Sequence, residues 1–225
     1  WAFGFVLMFA CAIAVGLLNG VLICFGKFTP VAATLVTYIA VGGACFVLRD
    51  APEGFITAEV TDRISTKVGP IPVAFLVFVA VAFVLEVALR RTRWGLRLRA
   101  VGSDEESARR VGVRVDRTVL GGYVAVSVLT FLGALVLLAQ LGVGDPAQGT
   151  GYTLTTITAV VLGGTSLLGG RGTFIGTLLG AGLIVQALNA TTFLNLSQTW
   201  QYLFQGLLIV VAAIVYSQVR RTGRT

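Results

Sequence analysis

Apolar residues fall in long runs separated by short polar stretches. Seven runs stand out, at roughly Phe3–Phe25, Pro30–Leu48, Pro70–Leu89, Val119–Leu141, Thr153–Leu168, Phe174–Leu188 and Trp200–Ser217. A helix rises about 1.5 Å per residue, so about 20 residues cross the ~30 Å hydrocarbon core of a bilayer. The fifth and sixth runs are short. They read as tilted spans, broken helices or a re-entrant pair around Gly169-Gly170-Arg171-Gly172. Backbone can break at membrane depth only where protein or a water-filled cavity surrounds it. The pattern predicts an all-α, polytopic transmembrane bundle of about seven membrane segments. It forms one domain over residues 1–225, with a loop at 90–117 inside it.

Composition agrees. The chain is 56% hydrophobic and 12% charged, with mean hydropathy +0.90. A soluble domain carries about 25% charged residues. The net charge of +7 lies in the loops between apolar runs, which is the positive-inside pattern of a membrane protein and not a nucleic-acid surface. The loop after the third run holds Arg90, Arg91, Arg93, Arg97, Arg99, Arg109, Arg110, Arg114 and Arg117 and is assigned to the cytoplasm. If all seven runs cross, Lys27, Arg171, Arg220, Arg221 and Arg224 join that side and only Arg49, Arg63 and Lys67 lie opposite. The C-terminus is then cytoplasmic. The chain opens at Trp1, not Met, inside an apolar run from which no signal peptide can be argued, and reads as a piece of a longer protein; a parent with a cytoplasmic N-terminus has an odd number of spans before it. The loop at 49–69 reads as polar and solvated, with room for one surface helix.

Histidine is absent, which excludes His-based catalysis and His metal sites. Cys11, Cys24 and Cys45 lie in apolar runs without CxxC spacing and read as buried thiols packing as small hydrophobes. The nearest approach to a nucleotide-binding loop, Gly20-Val-Leu-Ile-Cys-Phe-Gly-Lys-Phe28, has the wrong spacing and no Ser or Thr after Lys27. With no nucleophile–base pair, metal cluster or phosphate loop, the chain reads as a non-enzyme that binds no cofactor.

The loop carries a short helix with both ends marked. Ser103 fits the N-cap and Glu106 the reciprocal position of a capping box. Asp104, Glu105 and Glu106 suit the positive end of the helix dipole, Arg109 and Arg110 the negative end, and Gly112 the C′ position. A helix of about eight residues is marginal alone and needs a docking surface. Two surfaces are open: a cytoplasmic partner for the Ser103–Gly112 helix, and anionic lipid for Arg90 to Arg99. Within the membrane, Gly172, Gly176 and Gly180 recur every four residues, as do Gly16 and Gly20, which predicts close helix packing. The embedded polar residues Thr34, Thr37, Tyr38, Gln140, Thr155, Thr156, Thr158, Gln186 and Asn189 read as interhelical hydrogen-bonding groups, with Thr34, Thr37, Thr155 and Asn189 as candidates for a substrate pathway. Glu86, one turn from the loop, reads as snorkelling or pairing with Arg90.

Three segments resemble the membrane subunit (permease) of bacterial ABC importers of the ribose and simple-sugar type. They are Arg93-Trp-Gly-Leu-Arg-Leu-Arg-Ala-Val-Gly-Ser-Asp-Glu-Glu-Ser-Ala-Arg-Arg-Val-Gly-Val113, Gly149-Thr-Gly-Tyr-Thr-Leu154 and Ala159-Val-Val-Leu-Gly-Gly-Thr-Ser-Leu-Leu-Gly-Gly-Arg-Gly172. The third is similar to the family's "AVVLGGTSLxGGxG". The first departs at Ser103, where the family often has Asn, and at Ser107, where it often has Ala. Upstream spans with a "GIDLSVG"-like motif have no counterpart here. The resemblance implies a multi-pass protein of the bacterial inner membrane. A second permease subunit, identical or different, completes the pore. ATP-binding cassette ATPases carry ATP and Mg, and an extracytoplasmic solute-binding protein delivers a sugar. It assigns ATPase coupling to Gly95, Ala100, Gly102, Ser103, Glu105, Glu106, Ala108, Arg109 and Gly112. Helix packing around the pathway falls to Gly163, Gly164, Thr165, Gly169, Gly170, Arg171, Gly172, Gly176 and Gly180. The alternatives are the same machinery carrying a nucleoside or branched-chain amino acid, and an ATP-independent secondary carrier.

Overall fold

The computed structural model describes residues 2–55, 61, 66–68, 70–166, 169–194, 197, 200, 203 and 206–207. Among them run α1 (Ala2–Cys24), α2 (Pro30–Leu48), β1 (Glu53–Phe55), β2 (Lys67–Val68), β3 (Ile71–Pro72), α3 (Val73–Arg91), α4 (Arg93–Ser103), α5 (Glu105–Arg110), α6 (Val115–Leu141), β4 (Val143–Gly144), α7 (Tyr152–Leu162) and α8 (Phe174–Phe193). Five helices are long and apolar enough to cross a membrane: α1 from Phe3, α2, α3, α6 and α8. They match the first four and the sixth apolar runs, so the helical membrane bundle stands. Among the described residues they account for five of the seven expected segments. The fifth run yields α7, whose 11 residues rise about 16 Å, roughly half the hydrocarbon core. The seventh run, apart from Trp200, Leu203, Gly206 and Leu207, lies outside the described residues, as do Arg63, Arg220, Arg221 and Arg224.

Local chemistry sets the helix ends. Pro30 occupies the first turn of α2, where its missing N–H costs nothing, after Thr29 in extended conformation. Arg90 and Arg91 close α3, where cations meet the negative end of the helix dipole.

Trp1–Phe78 and Glu105–Gln148 form one compact unit. Its main packing is α1 on α6. A Cβ on Gly20 would meet Leu120 Cδ1 at 2.5 Å, and one on Gly16 would run into Ser127. The expected close-packing role of this glycine pair holds. Phe9 meets Phe131 edge-on, with ring centroids 5.2 Å apart. At the far end the Cys24 thiol donates to the Asp116 carbonyl at 3.4 Å. The expected burial of the other two thiols is overturned: Cys11 and Cys45 are exposed. At about 100° per residue, Cys11 lies on the side of α1 opposite Phe9, Gly16 and Gly20. The loop at 49–69 is not wholly irregular, because β1 pairs antiparallel with β4 (Glu53 with Gly144, Phe55 with Val143) and β2 with β3 (Lys67 with Pro72).

Val79–Asp104 and Gly149–Thr225 form the second unit. Within it α7 packs on α8, and the end of α4 (Gly102 and Ser103) meets the turn that joins α7 to α8.

Candidate coupling and helix-packing site

The cytoplasm-assigned loop holds two helices, where one was expected. Thr92 alone separates α3 from α4. Its hydroxyl donates to Ala88 O (2.6 Å) and accepts the Gly95 N–H (3.1 Å), capping α4 while holding the end of α3. Gly95 is buried in this corner; a Cβ there would lie 2.5 Å from both Ala88 O and Leu89 Cα. Only a residue without a side chain lets the chain turn so tightly. Thr92 followed three residues later by Gly95 was the signal for this missed helix.

The second helix starts one residue later than expected. Ser103 is the last residue of α4 and caps nothing after it. Asp104 takes the extended conformation (φ −158°, ψ 109°), and α5 begins at Glu105. Gly102 and Ser103 are held helical against Gly169 and Gly170, so the extended residue that precedes α5 is Asp104. The capping box of Ser103 with Glu106 is therefore overturned; Glu106 pairs with Arg110 at 2.5 Å. The C-terminal reading holds. Gly112 is left-handed (φ +84°), Val113 N–H reaches Ala108 O (3.0 Å) and Gly112 N–H reaches Arg109 O (3.1 Å), a Schellman closure. Nothing crowds Gly112, so Gly112→Ala should cost about 1–2 kcal/mol from backbone strain alone, and Gly112→Asn less. Thermal unfolding of the purified transporter checks this, and equal melting of the alanine variant would refute it.

α5 neutralises itself. Arg109 bonds Glu105 (3.2 Å) and Asp116 at the start of α6 (3.4 Å). The Glu105 hydrogen bond first, then the Asp116 charge, push the Arg109 guanidinium above its ordinary range, so it stays cationic at any physiological pH. Ala108, only 3% exposed, is the buried residue of α5, which packs on α6. Val111, 79% exposed, stands outward beside Arg110. Of the expected coupling residues, Ala108 thus faces inward. The outward apolar residue is Val111, which the sequence reading passed over.

The turn from α7 to α8 decodes the glycine-rich stretch. α7 also ends in a Schellman closure, with Gly164 left-handed (φ +81°) and Thr165 N–H on Val160 O at 3.1 Å. Gly163 and Gly176 cross backbone on backbone. A Cβ on Gly163 would sit 2.5 Å from the Gly176 carbonyl carbon, and one on Gly176 would overlap Gly163 O. Gly180 likewise abuts Ala159 O. Gly172 precedes α8 and packs on the Thr165 side chain; Thr173 caps α8 by accepting the Gly176 N–H at 3.0 Å. Gly169 and Gly170 are both left-handed and lie against the end of α4, a Cβ on Gly170 falling 2.9 Å from Ser103 Cα. The Arg171 side chain is exposed and its carbonyl accepts the Ser166 N–H at 2.9 Å.

A carboxylate fastens this turn. Glu86 on α3, 4% exposed, pairs with Arg90 as expected. Its second oxygen accepts the Phe174 N–H at 2.6 Å, in the first turn of α8. An anion there satisfies an orphan donor and meets the positive end of the helix dipole. This replaces the expected snorkelling. α8 has no acidic residue in its own first turn, the one hint that another element supplies the charge.

The embedded threonines do not act as expected. Thr34 donates to Pro30 O (2.9 Å), Thr37 to Ala33 O (3.0 Å), Thr155 to Gly151 O (3.3 Å), Thr156 to Thr153 O (3.0 Å) and Thr158 to Leu154 O (2.7 Å). Thr34, Thr37, Thr156 and Thr158 bond within their own helices, because a hydroxyl on the preceding turn's carbonyl is satisfied without a partner helix. Of the pathway candidates, Asn189 lines a pocket of about 670 Å³ with Gln186, Ala190, Thr192, Phe193 and Leu194 at the end of α8.

The family described as "Branched-chain amino acid transport system / permease component" matches residues 1–213. Ribose import permease protein RbsC of Bacillus subtilis is 35% identical over 88% of the chain and 62% of its own length. Galactose/methyl galactoside import permease protein MglC of Haemophilus influenzae is 29% identical over 94% of the chain and 66% of its own. Fructose import permease protein FrcC of Rhizobium meliloti is 31% identical over 95% and 63%. The chain therefore spans less than two thirds of the length of these relatives. No solved structure matches it. The relatives are import permeases, transport components and not enzymes. With the match running over nearly its whole length, the chain belongs to the branched-chain amino acid transport system permease family.

Proposed function

We propose that the chain is a membrane-spanning subunit of an ATP-driven importer and passes a simple sugar handed over by an extracytoplasmic solute-binding protein. The observation that carries the reading is the naming of relatives that match 88–95% of the chain as ribose, galactose and fructose import permeases. The loop at 90–117 and the α7–α8 turn face the cytoplasm, in keeping with their basic residues. A partner ATPase, holding ATP and Mg, docks on the outward side of α5 around Glu106, Arg110 and Val111. A push there enters α6 through Ala108 and the Arg109–Asp116 pair. A second permease subunit completes the pathway.

The test is crosslinking in the complete transporter with its native cysteines replaced. Val111→Cys should capture the ATPase, whereas buried Ala108→Cys and Val143→Cys should not. Absence of the ATPase at Val111, or equal capture at Val143, would remove the docking assignment. A second reading, transport of a branched-chain amino acid, is favoured by the family's own description. Competition of labelled uptake by ribose, galactose, fructose, a nucleoside and leucine separates the two.

A further inference from the structure

Two neighbouring helices of the loop differ in electrostatic character. In α5 every arginine is paired. In α4 none is. Arg90, Arg91, Arg93, Arg97 and Arg99 crowd the end of α3 and the body of α4, and no acidic residue occurs from Val87 to Ser103. Arg90 has Glu86; the other four have no ion-pair partner among the described residues, and all four are exposed. Four unpaired guanidiniums in so short a span repel one another unless an anionic surface takes them up.

The geometry says which surface. α4 follows the apolar span α3 after a single residue, so it begins where that span leaves the hydrocarbon. At about 100° per residue, Gly95 and Gly102 share one face of α4, the face held against the end of α3 and against Gly170. Arg93 and Arg97 form a ridge on the opposite face. Trp94 and Val101 flank the ridge on one side. Leu96, 55% exposed, flanks it on the other. A basic ridge between apolar flanks with a tryptophan, attached directly to a membrane span, is the pattern of a helix lying in the headgroup layer. Guanidinium groups bind phosphate through paired N–H donors, and their aliphatic stems can lie along acyl chains.

We propose that α4 is an interfacial helix that binds anionic phospholipid headgroups through the Arg93 and Arg97 ridge, leaving α5 as the part of the loop free for a protein partner. The proposal does not depend on which solute is carried. It is tested on the complete transporter in nanodiscs, with native cysteines replaced and Leu96→Cys carrying an environment-sensitive fluorophore. Phosphatidylglycerol or phosphatidylcholine brominated on the acyl chains serves as quencher. Brominated phosphatidylglycerol should quench more strongly. That preference should fall by roughly five-fold or more in the Arg93→Gln, Arg97→Gln variant, survive in the corresponding lysine variant, and fade at high salt, where the screening length shrinks to about 3 Å. The lysine variant separates loss of charge from loss of fold. Equal quenching by the two lipids, or an unchanged preference in the glutamine variant, overturns the proposal. So does a label that neither lipid quenches and that added ATPase protects, which would assign α4 to an acidic protein surface.

Discussion

Gly176→Val is expected to abolish recovery of folded subunit. At the α7–α8 crossing the two backbones touch through Gly163 and Gly176, and each would-be Cβ lands on the other's carbonyl group. A flexible side chain could move aside, but a backbone carbonyl that belongs to a helix end cannot. Overpacking a well-filled site costs about 1–3 kcal/mol, and more where only backbone can yield. Since membrane helices associate through such close contact, with no water to expel, separating α7 from α8 forfeits most of what holds them. Gly180→Val should do similar harm against Ala159. Gly182→Val is the control: it lies on the same helix with nothing within 4 Å of its would-be Cβ. Size-exclusion profiles and melting temperatures of detergent-extracted protein decide the matter. A Gly176→Val protein as well folded as the Gly182→Val protein would show that the crossing is not close-packed.

The crossing was legible in the sequence because four-residue glycine spacing maps directly onto one helix face. The same arithmetic found Gly16 and Gly20 on α1, packed against α6. Charge order found α5 and its glycine stop at Gly112. What the sequence hid had a common cause. Ser103 looks like a cap because it precedes Asp104-Glu105-Glu106, yet the choice between Ser103 and Asp104 is made by a contact with Gly169 and Gly170, more than 60 residues away. Gly95 gave no periodic signal, since its requirement is the carbonyl of Ala88 in a corner, not a helix face. The threonines misled for the opposite reason: their hydrogen bonds are local, to the preceding turn, where composition alone pointed across helices. The run at 153–168 already reads as short by hydropathy, and its described part is shorter still as a helix, because Gly163 and Gly164 stop α7.

Glu86→Ala is expected to loosen the same turn from its other side. The carboxylate is buried, and two groups lean on it, the Arg90 side chain and the Phe174 N–H. Their contributions differ. Arg90 is 57% exposed and can turn to water, so its pairing is worth little. The Phe174 amide is a helix-terminal donor with no intrahelical partner, and a hydrogen bond from it to a charged acceptor is worth about 1.5–3 kcal/mol. Alanine should therefore lower stability by about 2–3 kcal/mol. Glutamine keeps an acceptor oxygen but loses the charge facing the helix dipole, so it should cost about half as much. Arg90→Gln should cost least, about 0.5 kcal/mol. Thermal melts of the three variants give the ordering. If Arg90→Gln proves as damaging as Glu86→Ala, the carboxylate serves the arginine and not α8. A double-mutant cycle carries the argument one step further. Glu86 on α3 and Ser103 at the end of α4 grip the two ends of one short segment, residues 170–174. Once either grip is lost, the second has less left to hold. Glu86→Gln combined with Gly170→Ala should therefore cost less than the two costs added, by at least the ~0.5 kcal/mol within which independent sites add. Strict additivity would mean that the corner and the turn are fastened by separate contacts that do not act together.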